Sequence, residues 1–296
     1  MVGGKLPRGA ALLSKSDSKE LSRNLEELLT AQNHRGMKMA RGHLREGYLL
    51  RAADTIQRTR GNVFIITGFP VLGTFETDGP AGAMALYQLC KRQGLTPWIL
   101  SDGTITSALS SDFNCLALHS GSSTEVYESA RALYESSPPD LVISIERPGL
   151  TQDGGYYNIS GTNISNKCSF AEPYLEVAQC PNIAIGDGGN EIGMGNLADQ
   201  LLALPVRTSI SCCDELIVAD VSNWAAYALC ALVDSLQGRS PATDLDVDDL
   251  LDKLILKGAV DGVTGKATPT EDGFPEGTGK NMLEKIRALV LDYHRL

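Results

Sequence analysis

Histidine is scarce in this chain, with four among 296 residues, and neither an HExxH nor a GxSxG pattern occurs. A helical zinc-hydrolase site and a strand-to-helix serine elbow are thereby excluded. His119 alone falls at the end of an expected strand, and it reads as a structural histidine. Gly265-Lys266 and Gly279-Lys280 each lack a glycine five positions before the second one, so neither is a phosphate-binding P-loop. Residues 193–198 fit GxGxxA, but Asp187, Asn190 and Glu191 stand between the strand and its first glycine, which argues against a dinucleotide fingerprint.

Other absences narrow the field further. The seven cysteines contain no CxxC pair and are odd in number, so neither a disulfide framework nor a zinc site is expected. They read as reduced thiols in a reducing compartment, either cytoplasm or mitochondrial matrix. No apolar run approaches the ~20 residues that span a bilayer. The formal net charge is −10 and no basic stripe interrupts it. Nucleic acid and anionic membrane are therefore poor partners, because both need clustered Lys and Arg. A small anion remains acceptable where backbone N–H groups or a bound cation supply positive potential. Residues 1–20 carry basic residues and a brief apolar patch, too short for a signal peptide. They read as a weak transit segment or a flexible end, and the chain is not expected to be secreted. The sequons at Asn158 and Asn163 then carry no meaning.

What is present is ordinary for a globular protein: 43% hydrophobic and 21% charged residues. Leu21, Leu25, Leu28 and Leu29 follow helical spacing, and Asp17 with Glu20 resembles a capping box. A second helix is expected over 44–58. Buried-strand runs follow at 62–69, 97–100, 114–119, 141–145, 182–185 and 215–220, and helices at 79–93, 124–136, 191–202 and 223–236. Two tail helices, 247–256 and 280–293, flank a Gly-rich loop. This alternation predicts an α/β fold: a mostly parallel sheet with helices on both faces, a helical N-terminal lead and C-terminal helices. One domain over 21–296 accommodates it. Right-handed crossovers put every strand's C-terminal end on one edge of the sheet.

Chemistry gathers on that edge. Residues 182–196, NIAIGDGGNEIGMGN, run a strand into Asp187, Gly188, Gly189, Asn190 and Glu191. The glycines permit close approach of a ligand, and the amides of a following helix would favour an anion. Oxygen ligands this dense call for a hard cation, Mg²⁺ or Mn²⁺, with Ca²⁺ admitted by the same donors. A tight βα turn with solvated acids is the plainer alternative. Residues 67–82, TGFPVLGTFETDGPAG, place Glu76 and Asp78 before a helix opened by Pro80. The helix dipole alone would explain Asp78, but it shares the sheet edge with Asp187. Residues 142–158 place Glu146 and Arg147 at another strand end. Glu146 would complete a three-carboxylate site. Arg147 would pair with it, or grip a substrate carboxylate bidentately. Asp153, Tyr156 and Tyr157 follow in a long loop, the tyrosines as packing. Asn223 either caps its helix or reaches the site. The loop 258–273 either folds over the site, bringing the cation Lys266, or stays mobile on the surface.

Four of these segments, TGFPVLGTFETDGPAGA, IERPGLTQDGGYYN, GDGGNEIGMGN and VSNWAAYAL, resemble in this order the C-terminal domain of the D-glutamate cyclase family. The resemblance runs from about residue 21 to the end. Larger members carry this domain behind one that resembles a hydro-lyase, and this sequence reads as the stand-alone form. The stretch between Phe69 and Glu76 is shorter than in the mitochondrial members, which bears on the substrate pocket. The resemblance implies reversible conversion of D-glutamate to 5-oxo-D-proline and water, assisted by a metal. It implies Asp78, Asp187 and Glu191 as metal ligands or acid–base groups, with Glu146 beside them. Arg147, Gly188, Gly189, Asn190, Asn223 and Lys266 are the candidate substrate contacts. The partner implied is a small amino acid, and a homo-oligomer is compatible. Two rival readings stand: a metal-dependent phosphohydrolase, which the absence of a DxD pair after the first strand disfavours, and a non-catalytic metabolite- or metal-binding module.

Overall fold

In the computed structural model, which describes residues 13–294, Val63 and Ile65 enter one apolar core while Phe64 and Ile66 enter another. That alternation is what a strand buried on both faces requires. The strand is β1 (Asn62–Thr67), and five more join it: β4 (Thr96–Ser101), β5 (Cys115–Ala117), β6 (Pro139–Ile145), β7 (Asn182–Gly186) and β8 (Glu215–Val218). A hairpin of β2 (Pro70–Val71) and β3 (Thr74–Phe75) stands apart. The large sheet runs β5-β4-β1-β6-β7-β8, and every pairing in it is parallel. Ile65 lies in register between Ile99 and Ile143. The chain winds outward from β1 to β5, then crosses back to β6 on the other side. β1 and β6 thus flank a switch point, where a crevice opens beyond the strand ends.

Helices cover both faces. One carries α1 (Lys15–Leu29), α3 (Tyr48–Arg58), α4 (Pro80–Arg92), α8 (Ser222–Leu236), α9 (Val247–Leu256) and α10 (Thr278–Tyr293). The other carries α6 (Ser123–Ser136) and the short α7 (Pro173–Glu176), through Val126, Ala130, Tyr134, Tyr174 and Leu175. α2 (Met37–His43) and α5 (Gly103–Leu109) complete the set. α8 is buried from Ser222 to Ser235 because α4, α3 and α10 all pack on it. Its apolar girdle, with no polar face, is the sequence sign of that position.

Several boundaries differ from expectation. α1 is capped by Ser14, whose Oγ accepts the Asp17 N–H at 3.1 Å, so Asp17 sits in the first turn rather than at the cap. Residues 1–12, with the transit-like patch, lie outside the described residues. From Lys15 onward the stretch expected to be flexible is already helical. The single helix expected over 44–58 is preceded by α2, and α3 starts only after Gly47. The helix expected over 191–202 does not form. Gly189 (φ 103°) and Gly193 (φ 97°) turn the chain away from helical geometry, and Gly193 and Gly195 both donate to Ser211 O. Only 3₁₀ turns at Met194–Leu197 and Gln200–Ala203 remain. All seven cysteines are unpaired. No helix among the described residues is long and apolar enough to cross a membrane.

Gly47 has no side chain with which to cap α3, and α1 supplies the cap instead. The Glu26 carboxylate accepts Gly47 N–H at 3.1 Å and Leu49 N–H at 3.1 Å, and Ser22 Oγ at 2.8 Å. Glu26 is 1% exposed. Replacing it leaves buried donors without partners, so Glu26→Ala is expected to destabilise the fold by about 2–3 kcal/mol. A urea-unfolding midpoint equal to that of the unaltered chain would refute this tertiary cap.

Candidate active site

Three strand ends deliver the acids. Asp187 follows β7 directly and Glu146 follows β6 directly. After β1 the hairpin returns the chain to the sheet edge, so that Asp78 precedes α4. Oxygens of Asp78, Glu146 and Asp187 lie within 4.8 Å of one another, all three residues buried.

Each carboxylate is fixed differently. Asp78 Oδ1 accepts the Asn223 N–H at 2.8 Å and Oδ2 accepts the Ser222 N–H at 3.0 Å. These are first-turn amides of α8, so the positive end of that helix meets the negative charge. Glu146 Oε2 accepts the Ser222 hydroxyl at 2.6 Å. Its backbone has φ 43°, a left-handed conformation that costs a non-glycine residue roughly 1 kcal/mol or more. Asp187 Oδ1 meets Arg35 Nη1 at 2.5 Å, while its Oδ2 is buried with no hydrogen-bond partner.

Arg35 comes from the loop between α1 and α2. Asp220, just beyond β8, accepts the N–H groups of Gln32 (2.7 Å) and His34 (3.1 Å) and ties that loop down. From there Arg35 also grips Asp272 through Nη1 and Nη2, at 2.8 and 2.9 Å. Asp272 belongs to the tail loop, which is ordered around Asp261. That carboxylate accepts the N–H groups of Val263, Thr264 and Gly273 and the Thr270 hydroxyl.

Other expected residues are placed elsewhere. Glu191 turns back on its own loop: Oε1 accepts Gly188 N–H at 2.7 Å and Oε2 accepts Gly189 N–H at 2.8 Å. The helix whose first amides were expected to favour an anion does not form, and the three acids whose oxygens come together are Asp78, Glu146 and Asp187, with Glu191 held by its own loop. Asn190 borders the cleft and donates to Tyr157 O at 2.9 Å. Arg147 does not pair with Glu146. It is wholly buried, ion-paired to Asp102, and donates to the carbonyls of Gly68 and Ser169. Asn223 caps α4 rather than its own helix. Oδ1 accepts Gly79 N–H (2.9 Å) and Gly82 N–H (2.6 Å), and Nδ2 donates to Thr77 O and Glu271. Its role is to position. Lys266 is exposed, and the residues of its loop that border the cleft are Gly262 to Gly265 together with Asp272. The loop therefore contributes an acid, Asp272, where a cation was expected.

Sequence reasoning missed four charged residues that border the cleft: Arg35, Glu76, Lys167 and Asp272. Glu76 stands two positions from Asp78 and Asp272 closes the tail-loop segment, so both were in view. Arg35 left no local signal.

A cleft of about 460 Å³ opens over the triad, bordered by Arg35, Glu76, Glu146, Asn190, Glu191 and Asp272, with Lys167 exposed at its rim. Glu146 belongs to both cleft and triad, while Asp78 and Asp187 are buried behind it and do not line the cleft. Burial foremost, then the charges of neighbouring acids such as Asp272 and Glu191, pushes Glu76, Asp78, Glu146 and Asp187 well above the ordinary carboxylate range, with Arg35 opposing the shift at Asp187. Burial works against the Arg35 guanidinium, yet the charges of Asp187 and Asp272 hold it firmly protonated. One arginine cannot balance this many acids. An all-oxygen donor set with one unpartnered buried oxygen fits a hard divalent cation.

The family described as D-glutamate cyclase-like, C-terminal, matches residues 25–287. Human mitochondrial D-glutamate cyclase is 32% identical over 224 residues, covering 64% of this chain. The chain spans 36% of that relative's length. Among solved structures, an exopolyphosphatase-related protein from Bacteroides fragilis is similar with a TM-score of 0.41 at 10% identity, over 85% of this chain and 58% of that one. RecJ from Thermus thermophilus, in complex with Mn²⁺, is similar with a TM-score of 0.29 at 13% identity, over 98% of this chain and 39% of that one. Neither likeness is close enough to bear on chemistry.

The raised carboxylates set the response to pH. Their folded pKa values lie above the unfolded values near 4, so the folded chain keeps protons that the unfolded chain releases. Stability of the metal-free protein therefore falls as pH rises above about 4 through the folded pKa values. The chelated protein should melt at a higher temperature at pH 5.5 than at pH 7.5, and added Mn²⁺ or Mg²⁺ should raise the melting temperature more at pH 7.5. The opposite pH trend would mean that the triad is neutralised by the protein itself.

Proposed function

This chain belongs to the D-glutamate cyclase-like, C-terminal family, and from that premise we propose that it interconverts D-glutamate with 5-oxo-D-proline and water, using a divalent cation held by Asp78, Glu146 and Asp187. The observation that carries this reading is the gathering of three buried carboxylates within 4.8 Å, with one Asp187 oxygen unpartnered, beneath a cleft of small-molecule size.

In the forward direction the α-amine nitrogen bonds to the γ-carboxyl carbon, a C–O bond breaks, and water departs. A carboxylate is a poor electrophile, and a bound Mn²⁺, Mg²⁺ or Ca²⁺ supplies Lewis-acid polarisation of such a group. The protein's own residues do the rest. The cleft walls hold the five-carbon chain folded, and well-oriented intramolecular reactions gain on the order of 7–11 kcal/mol in this way. Arg35 and Lys167 supply positive charge beside an otherwise acidic cavity that must admit two substrate carboxylates. Ser222 fixes one Glu146 oxygen, which orients that carboxyl at the cleft floor. As the one triad acid that borders the cleft, Glu146 is the one suited to exchange a proton with the ammonium or the departing oxygen. A reducing compartment, cytoplasm or mitochondrial matrix, suits the seven unpaired thiols.

The test is a chiral assay of purified protein with D-glutamate and with 5-oxo-D-proline, each with Mn²⁺ or Mg²⁺ and with chelator. Interconversion abolished by chelator is expected. Turnover indifferent to chelator would remove the cation, and turnover of a phosphoester instead would replace the reaction. Asp187→Asn is expected to lower turnover by at least about 10²-fold with an unchanged circular-dichroism spectrum. Retention of full activity would take Asp187 out of the site.

A further inference from the structure

Glu76 has no role in the arrangement described so far, yet its placement is elaborate. It is 7% exposed and borders the cleft, and its carboxylate has neither a hydrogen bond nor an ion pair among the described residues. Its backbone is pinned on both sides. Glu76 N–H donates to Phe69 O at 3.2 Å, Thr77 N–H to Val260 O at 2.9 Å, and Val260 N–H to Phe75 O at 3.0 Å. The direction of the side chain is thus set by strand-like pairing with the tail loop.

Space for the carboxylate is also reserved. A Cβ on Gly262 would collide with the Glu76 carboxylate, and Gly262 is not among the glycines with positive φ. No positive φ calls for glycine there, and any side chain at this position would make the Glu76 carboxylate shift. The charges nearest to Glu76 are Asp272, Asp78 and Asp261, all of its own sign, and Arg35. Arg35 is already engaged by Asp187 and Asp272. A mostly buried carboxylate that faces the cleft with no protein partner is placed to receive a cation from outside.

We propose that Glu76 is the subsite for the substrate's α-ammonium group, and that it selects an amino acid over the corresponding amine-free dicarboxylic acid. This rests on the cleft being the D-glutamate site. In the lactam the same carboxylate accepts the ring N–H. Asp78 lies two residues further along, so an amine at Glu76 is presented towards a carboxyl group held over the triad, the approach that ring closure needs.

D-aspartate, too short to close a five-membered lactam, and succinate, its amine-free counterpart, separate this role from others. Calorimetry on the Mn²⁺-loaded protein is expected to show D-aspartate binding about tenfold or more tighter than succinate. In Glu76→Gln that preference should vanish, with succinate affinity and Mn²⁺ stoichiometry unchanged. Gly262→Ala, which crowds the carboxylate while keeping its charge, should weaken D-aspartate and spare succinate. An amine preference that survives Glu76→Gln, equal weakening of both acids, or a loss of one bound Mn²⁺ would each overturn the assignment, the last by making Glu76 a metal ligand. The proposed reaction fails separately. Glu76-dependent amine preference in a protein that cannot interconvert D-glutamate and 5-oxo-D-proline would retain the subsite and retire the reaction.

Discussion

Carboxylates that have lost their water and sit beside one another are unstable unless something opposes their charge. Asp78, Glu146 and Asp187 impose that constraint, and much of the surrounding architecture answers it. The N-terminus of α8 faces Asp78, the Ser222 hydroxyl faces Glu146, and Arg35 faces Asp187. Each answer enlists a different part of the chain. The helical lead is tied to the sheet edge through Arg35, and the tail loop is drawn in through Asp272 on the same guanidinium.

Core and site are consequently one structure. Asp78 precedes α4 and caps α8, while Asn223 lies in α8 and caps α4. The exchange requires the two helices to meet closely, and glycine permits it. A Cβ on Gly82 would lie 2.9 Å from Asn223 Oδ1 and 3.0 Å from Ala226 Cβ. Glu271 closes the cluster by accepting from Asn223, Trp224 and Tyr227. Packing of the most deeply buried helix thus sets where a site carboxylate stands.

The sheet was legible because doubly buried strands are short apolar runs between turn residues. The gathering of Asp78, Glu146 and Asp187 was legible because parallel strands must end on one edge. Several of the failures depended on partners distant in sequence, and others on how a glycine loop turns. The left-handed turn at Glu146 parts the two side chains, so Glu146 faces the triad while Arg147 reaches Asp102, 45 residues away. Glu191 looked like a ligand because the local sequence does not say that glycine amides will claim it. The same positive-φ glycines that shaped that loop removed the helix expected after it. Arg35 sits in a turn with no periodic pattern, and only its ties to Asp187 and Asp272, 152 and 237 residues distant, give it meaning.

That last separation governs the order of assembly. A contact spanning 237 residues is favoured once the intervening sheet has closed the distance, because closing an unstructured loop of that length costs entropy. During synthesis the tail loop leaves the ribosome after every strand has been made, so Asp272 is the last of the site acids to become available to Arg35. Until that tail arrives, Arg35 has Asp187 alone as its partner, and the cleft lacks the wall that Asp272 provides.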